Sequence, residues 1–99
     1  MAKIVVRIDP DLSDLLPEFM ARKRLDAEVI RNAAAAGDHP KLSDLGHRIK
    51  GEGGSYGLDE ISEIGAKLEL AAKASDVAAA RRHADELIAY LDAVEIIYE

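Results

Sequence analysis

His47-Arg48-Ile49-Lys50-Gly51, continued by Glu52-Gly53-Gly54-Ser55 and closed by Tyr56-Gly57, is the stretch that decides how this chain reads. Taken as a helix at about 100° per residue, it splits into two faces. Leu42, Leu45, Ile49 and Tyr56 gather on one side, while His47, Lys50, Gly51 and Gly54 stand on the other at i, i+3, i+4 and i+7. An imidazole belonging to a core would share the leucine side. This one faces away, beside an ammonium and above two residues without side chains. The pattern predicts an exposed nucleophile with a cation next to it and room for something large to approach.

The helical reading extends in both directions. Upstream, Asp9-Pro10-Asp11 is a helix start, with Asp9 able to cap, Pro10 suited to the first turn and Asp11 at the positive end of the dipole. Pro17 follows one turn later and should kink or restart the helix, giving a short piece at 11–16 and a main helix at 17–36. Phe19, Met20, Ala27, Ile30 and Ala34 mark its apolar stripe, blurred by Leu25 and Val29. Gly37-Asp38 ends it and caps a second helix, about 39–54, with Pro40 in its first turn. Gly51, Gly53 and Gly54 each cost up to about 1 kcal/mol relative to alanine there, yet Tyr56 stays in phase with Leu45 and Ile49.

A third helix, roughly 58–73, turns Ile61, Ile64, Leu68 and Ala72 inward. Ser75-Asp76 caps a fourth, roughly 76–97, in which Val77, Ala80, Ala84, Leu87, Leu91, Val94 and Tyr98 recur in steps of three and four. Short connections force neighbouring helices to run antiparallel. The expected fold is all-α, an antiparallel four-helix bundle forming one domain over 1–99 with a short N-terminal extension. Residues 3–8 are β-branched and weakly alternating, an extended arm with no sheet to join.

Composition narrows the function. Aromatics are scarce (Phe19, Tyr56, Tyr90, Tyr98) and alanine is abundant, which favours closely packed helices. No cysteine is present, so disulfides and thiolate metal sites are excluded. No apolar run is long enough to span a membrane, and Met1-Ala2-Lys3-Ile4-Val5-Val6 is interrupted by Arg7 before it could serve as a leader, so a cytoplasmic location is expected. The net charge of −6 argues against nucleic-acid binding. Local basic groups, Arg22-Lys23-Arg24 and Lys41, Arg48 and Lys50 around His47, suit an anionic partner surface or a phosphate. No Walker loop or Gly-x-Gly-x-x-Gly run is present to hold ATP. A di-metal bundle needs paired Glu-x-x-His motifs, whereas the chain offers one Asp44-x-x-His47. His39 and His83 read as surface residues, and Asp59-Glu60 and Asp85-Glu86 as solvated faces.

A neutral imidazole nitrogen is a competent phosphoryl acceptor near pH 7. Phosphoryl transfer needs in-line approach and charge stabilisation rather than an elaborate reaction centre. Lys50, one turn beyond His47, can neutralise phosphoryl oxygens, and Gly51 and Gly54 lower the surface for a second protein.

The stretch from Leu45 to Gly57 resembles the signature of histidine phosphotransfer (HPt) domains: a histidine, Lys at +3, Gly at +4, small residues, then an apolar-Gly pair at +9 and +10. The Gly37-Asp38 turn and the Leu68-Glu69 ending of the third helix extend the likeness over essentially the whole chain. The resemblance implies a stand-alone phosphorelay intermediate, a stoichiometric phosphocarrier and not an enzyme. In it His47 would be the phosphoacceptor, Lys50 would stabilise the phosphoryl group, and Gly51 would let a receiver domain dock. Gly54 and Arg48 would share that docking face. It also implies a partner receiver domain of a response regulator or hybrid histidine kinase, which brings the divalent cation. The protein itself would need no cofactor and would act as a monomer. Two positions depart from the family pattern. Glu52 stands where a small Ser or Ala is usual, about 140° from His47 around the helix, and Arg48 replaces what is often a small hydroxylated residue. A helical adaptor that binds receiver or kinase domains without being phosphorylated is the alternative.

Overall fold

The computed structural model describes residues 3–99; Met1 and Ala2, the start of the segment read above for a leader, lie outside the described residues. Strand β1 (Ile4–Ile8) leads into a single 3-10 turn (Pro10–Leu12), followed by helices α1 (Leu16–Ala36), α2 (His39–Ser55), α3 (Asp59–Lys73) and α4 (Val77–Ala93) and strand β2 (Val94–Tyr98). The helices form an antiparallel bundle in which α1 packs on α4 and α2, and α3 packs on α2 and α4. Among the described residues no helix is long and apolar enough to cross a membrane.

Capping follows the sequence closely. Asp9 Oδ1 accepts from the Asp11 N–H at 2.9 Å, Asp38 Oδ1 from Lys41 N–H at 3.2 Å and Asp76 Oδ1 from Ala79 N–H at 3.0 Å. Gly37 closes α1 in the left-handed region (φ 67°), where a Cβ would be strained. The expected helical piece at 11–16 is instead the 3-10 turn, and Pro17 falls in the first turn of α1 rather than inside a helix. A first-turn proline forfeits no hydrogen bond, so it starts the helix without kinking it.

The fourth helix is shorter than its apolar repeat suggests. It ends at Ala93, and Val94 turns extended (ψ 134°) to open β2. That strand pairs in parallel with β1, from Ile4 opposite Val94 to Ile8 opposite Tyr98. The arm at 3–8 therefore has a partner, and Tyr98, expected in the seam, is exposed on the ribbon. Val-Glu-Ile-Ile-Tyr is β-branched and aromatic and fits a pleated surface better than a helix. Once β1 offers its edge, strand pairing wins over one more helical turn. Ile4, Val6, Val94 and Ile96 close one end of the core, whose fully buried centre includes Phe19, Ile30, Leu42, Ile49, Leu58, Ile61, Leu68 and Leu87.

Glycines set the spacing of α2 and α3. A Cβ on Gly46 would lie 2.6 Å from Glu69 N and 2.8 Å from Gly65 O, and one on Gly53 would lie 2.5 Å from Ser62 N. A Cβ on Gly65 would collide with the backbone N of Lys50 and sit 2.8 Å from its Cα. Backbone rests on backbone at these points, so no side chain can yield. Gly46→Ala and Gly65→Ala should each destabilise the bundle by about 1–3 kcal/mol, because overpacking outweighs the better helix propensity of alanine. Urea unfolding checks this; a stabilised variant would mean that the helices can separate freely.

Candidate functional site

The close approach of α2 and α3 builds the site. Gly46 immediately precedes His47, and Glu69 stands one turn beyond Gly65, so bringing the two glycines together sets Glu69 beside the imidazole. His47 Nδ1 lies 3.3 Å from Glu69 Oε2, and Lys50 Nζ lies 3.8 Å from Glu69 Oε1. One carboxylate thus spans the histidine and the lysine. Its side chain is 16% exposed against 78% for His47, so a sheltered group holds the inner edge of an open ring. Nε2, on the opposite edge of the imidazole, is left without that contact.

The facial split read from the sequence holds. Leu42, Leu45 and Ile49 are buried, whereas His47, Lys50, Gly51 and Gly54 are exposed. The glycines in and beside the stretch differ in kind. Gly51 has open space where a Cβ would sit, while Gly53 is pressed against Ser62. Gly54 donates its N–H to Ser62 Oγ at 2.8 Å, tying the end of α2 to α3. Tyr56 caps α2 and stacks on Phe19 of α1, with ring centroids 4.0 Å apart and planes 18° from parallel. That stack fixes the end of the motif against the core.

Beside the open face lies an ionic network between α1 and α2 that corrects the basic-patch reading of Arg22-Lys23-Arg24. Lys23 is fully buried, its Nζ 2.6 Å from Asp26 Oδ2 and 2.5 Å from Glu52 Oε1, and 5.1 Å from the centre of the Phe19 ring. Arg24 pairs with Asp92 at 2.7 Å on α4. Arg48 reaches Asp26 at 3.0 Å and Glu52 at 3.7 Å, with half of its side chain still exposed. Two cations and two carboxylates balance one another here. Glu52 therefore turns toward Lys23 and Arg48, away from His47, and its charge is neutralised where it stands. Arg48 is held by the network, so its exposed half is presented in a fixed place.

The other histidines are less open than the sequence suggested. His83 is mostly covered and lies 2.6 Å from Glu86 Oε1, and His39 is half-buried at the start of α2. Asp85 and Glu86 are paired, with Arg31 at 2.8 Å and with Lys67 at 2.9 Å. The Lys67 ammonium and then His83 hold the Glu86 carboxyl below its ordinary range. No group of three or more His, Cys, Asp or Glu able to hold a metal ion occurs among the described residues.

Sequence reasoning assigned no role to Glu69, Gly46 or Gly65. The two glycines carried a signal, since each stands on the apolar side of its helix, where an interior glycine marks close backbone approach. Glu69 follows from them by one helical turn.

The family model described as Hpt domain matches residues 14–96. A search of curated proteins found no match, and a search of solved structures found none either.

The buried network supplies a stability prediction. Lys23→Met leaves Asp26 and Glu52 sharing only Arg48 and should cost roughly 3 kcal/mol, the low end for breaking a buried ion pair. Lys23→Met with Asp26→Leu removes charge of both signs and should be clearly less destabilised than the single variant. Denaturant midpoints check the order; equal losses would mean that the network carries no coupled energy.

Proposed function

This chain belongs to the Hpt domain family, and on that premise we propose that it carries a phosphoryl group on His47, received from and returned to receiver-domain aspartates. Hpt domains serve histidine phosphotransfer in phosphorelays and interact with receiver domains. The observation that carries the residue-level reading is the exposed His47 whose Nδ1 edge is held by Glu69, with Lys50 alongside and empty space over Gly51.

The chemistry follows from that arrangement. The Nε2 lone pair attacks the phosphorus of an aspartyl phosphate as the P–O bond to the aspartate breaks, and the carboxylate leaves with the bonding electrons. Nδ1–H faces Glu69, whose negative charge offsets the positive charge that develops on the ring. Lys50 neutralises the moving phosphoryl oxygens. The reverse step begins with attack by a receiver carboxylate and returns the electrons of the N–P bond to Nε2. The receiver supplies the divalent cation and acid cluster, so the carrier needs only an aimed nucleophile and a flat approach. Glu52, drawn into the network with Lys23, places no unbalanced charge in the path.

Incubation with a phosphorylated receiver should put acid-labile, base-stable phosphate on the wild-type chain and none on His47→Gln. The variant should keep the same helicity and melting temperature, because the replaced side chain is exposed. Phosphate retained by His47→Gln after that incubation would place the acceptor on another residue, and a wild type labelled by neither receiver nor phosphoramidate would be an unphosphorylated adaptor; either outcome overturns the reading.

Gly51 separates docking from folding. An added side chain meets nothing there, so Gly51→Leu should stabilise α2 by up to about 1 kcal/mol through helix propensity. The same variant should accept phosphate from the receiver at least tenfold more slowly while phosphoramidate still labels His47. An unchanged receiver rate would remove the docking role of Gly51.

A further inference from the structure

The three groups that meet at His47 occur a second time, on the side of α3 turned away from Glu69. His83 Nδ1 lies 2.6 Å from Glu86 Oε1, and Lys67 Nζ donates to Glu86 Oε2 at 2.9 Å. One carboxylate again spans an imidazole and an ammonium across two helices, here α3 and α4. The partition differs, because His83 and Glu86 share α4 at i and i+3 while the lysine comes from α3. Both contacts are shorter than the 3.3 Å and 3.8 Å found at Glu69. The phosphorelay reading of His47 makes no use of this cluster.

The short bridge decides which ring nitrogen is the nucleophile. Lys67, and then His83, keep the Glu86 carboxyl ionised below its ordinary range, and an ionised carboxylate only accepts hydrogen bonds. A neutral His83 therefore carries its proton on Nδ1 and its lone pair on Nε2. Nε2 has no hydrogen-bond partner in the protein. Among the described residues the one such side-chain nitrogen closed off from solvent is Nδ1 of His39, so Nε2 of His83 is open to water. Its side chain is nevertheless only 15% exposed, against 78% for His47. The next turn of α4 adds Glu86 and Leu87 beside it, where α2 has Gly51. A receiver finds no flat approach here, and a donor of a few heavy atoms needs none.

We propose that His83 is a second phosphoacceptor, charged at Nε2 by small phosphoryl donors, a phosphoramidate or a low-molecular-weight acyl phosphate, and not by receiver domains. With phosphoramidate, the Nε2 lone pair forms the N–P bond while the P–N bond of the zwitterionic donor breaks, and the bonding electrons leave on nitrogen as ammonia. With an acyl phosphate they leave on the carboxylate. The ring becomes cationic with Nδ1–H still on Glu86, whose negative charge offsets it, and Lys67 holds that carboxylate in place. His39 is the contrast within the chain. It is half-buried, and its Nδ1 is buried with no partner, so no carboxylate fixes its tautomer or balances a charge on its ring.

Phosphoramidate treatment of folded His47→Gln tests this apart from the role of His47, with phosphorus NMR following the label and tandem mass spectrometry locating it. One acid-labile phosphoryl group should appear on His83, more slowly than on His47 of the wild type. None should appear when His83→Gln is added, and a phosphorylated receiver should leave His47→Gln unlabelled. Long-range proton–nitrogen spectra of the neutral ring should place the His83 proton on Nδ1, a preference that Glu86→Ala should remove. If His83 stays unlabelled in folded His47→Gln, the cluster is a plain ionic tie between α3 and α4 and the proposal fails. It fails equally if His39 is labelled as fast as His83, if the neutral His83 ring carries its proton on Nε2, or if the receiver labels His83. A wild type that receives nothing on His47 leaves each of these results unchanged.

Discussion

Direct contact between the backbones of α2 and α3 is the constraint from which the site follows. Gly46, Gly53 and Gly65 allow it, and each would need the opposing chain to move if it carried a methyl group. Close contact leaves little freedom for one helix to slide along or rotate against the other. His47 and Glu69 lie on different helices, and their 3.3 Å separation is only as fixed as that contact. The expensive part of the site is thus hidden between the helices, and the visible part is one imidazole and one ammonium on an otherwise open surface.

The first helix contributes by a different kind of force. Lys23, buried without exposure, holds Asp26 of its own helix and Glu52 of the next, and Arg48 closes the circuit from outside. Ion pairs of this sort add little net stability over an apolar core, but they penalise any arrangement that leaves one member unpaired. Alongside the stack of Phe19 on Tyr56, they fix the start of α1 against the end of α2. Glu52, at odds with the family pattern when read as an isolated residue, is the counter-charge that a buried lysine requires.

Much of this was legible in the sequence, and what was not has identifiable causes. Helix caps at Asp9, Asp38 and Asp76 are local chemistry, and their signals are local too. The separation of His47 and Lys50 from Leu45 and Ile49 needed only the helical period. The end of α4 was misread because Val94 and Tyr98 continue a repeat of three and four; what stops the helix is a strand more than eighty residues earlier, which no local pattern contains. Lys23 read as surface because a lysine is buried only when its partners are, and those partners lie on two helices. Glu69 had no assigned role for a related reason: its meaning depends on which face of α3 meets α2.

The pairing of β1 with β2 has a mechanical side. The two strands run parallel, so the chain enters the ribbon at Ile4 and leaves it at Tyr98, at opposite ends. A pull on both termini therefore slides one strand along the other and loads the whole ladder of hydrogen bonds at once. An antiparallel pair gripped at one end would open bond by bond, like a zipper. The ion pair between Arg7 and Glu99, 2.8 Å apart, spans the same seam and resists the same displacement. Under tension the bundle that holds His47 stays shielded until this short clasp shears, which makes two five-residue strands the force-bearing element of an otherwise helical protein.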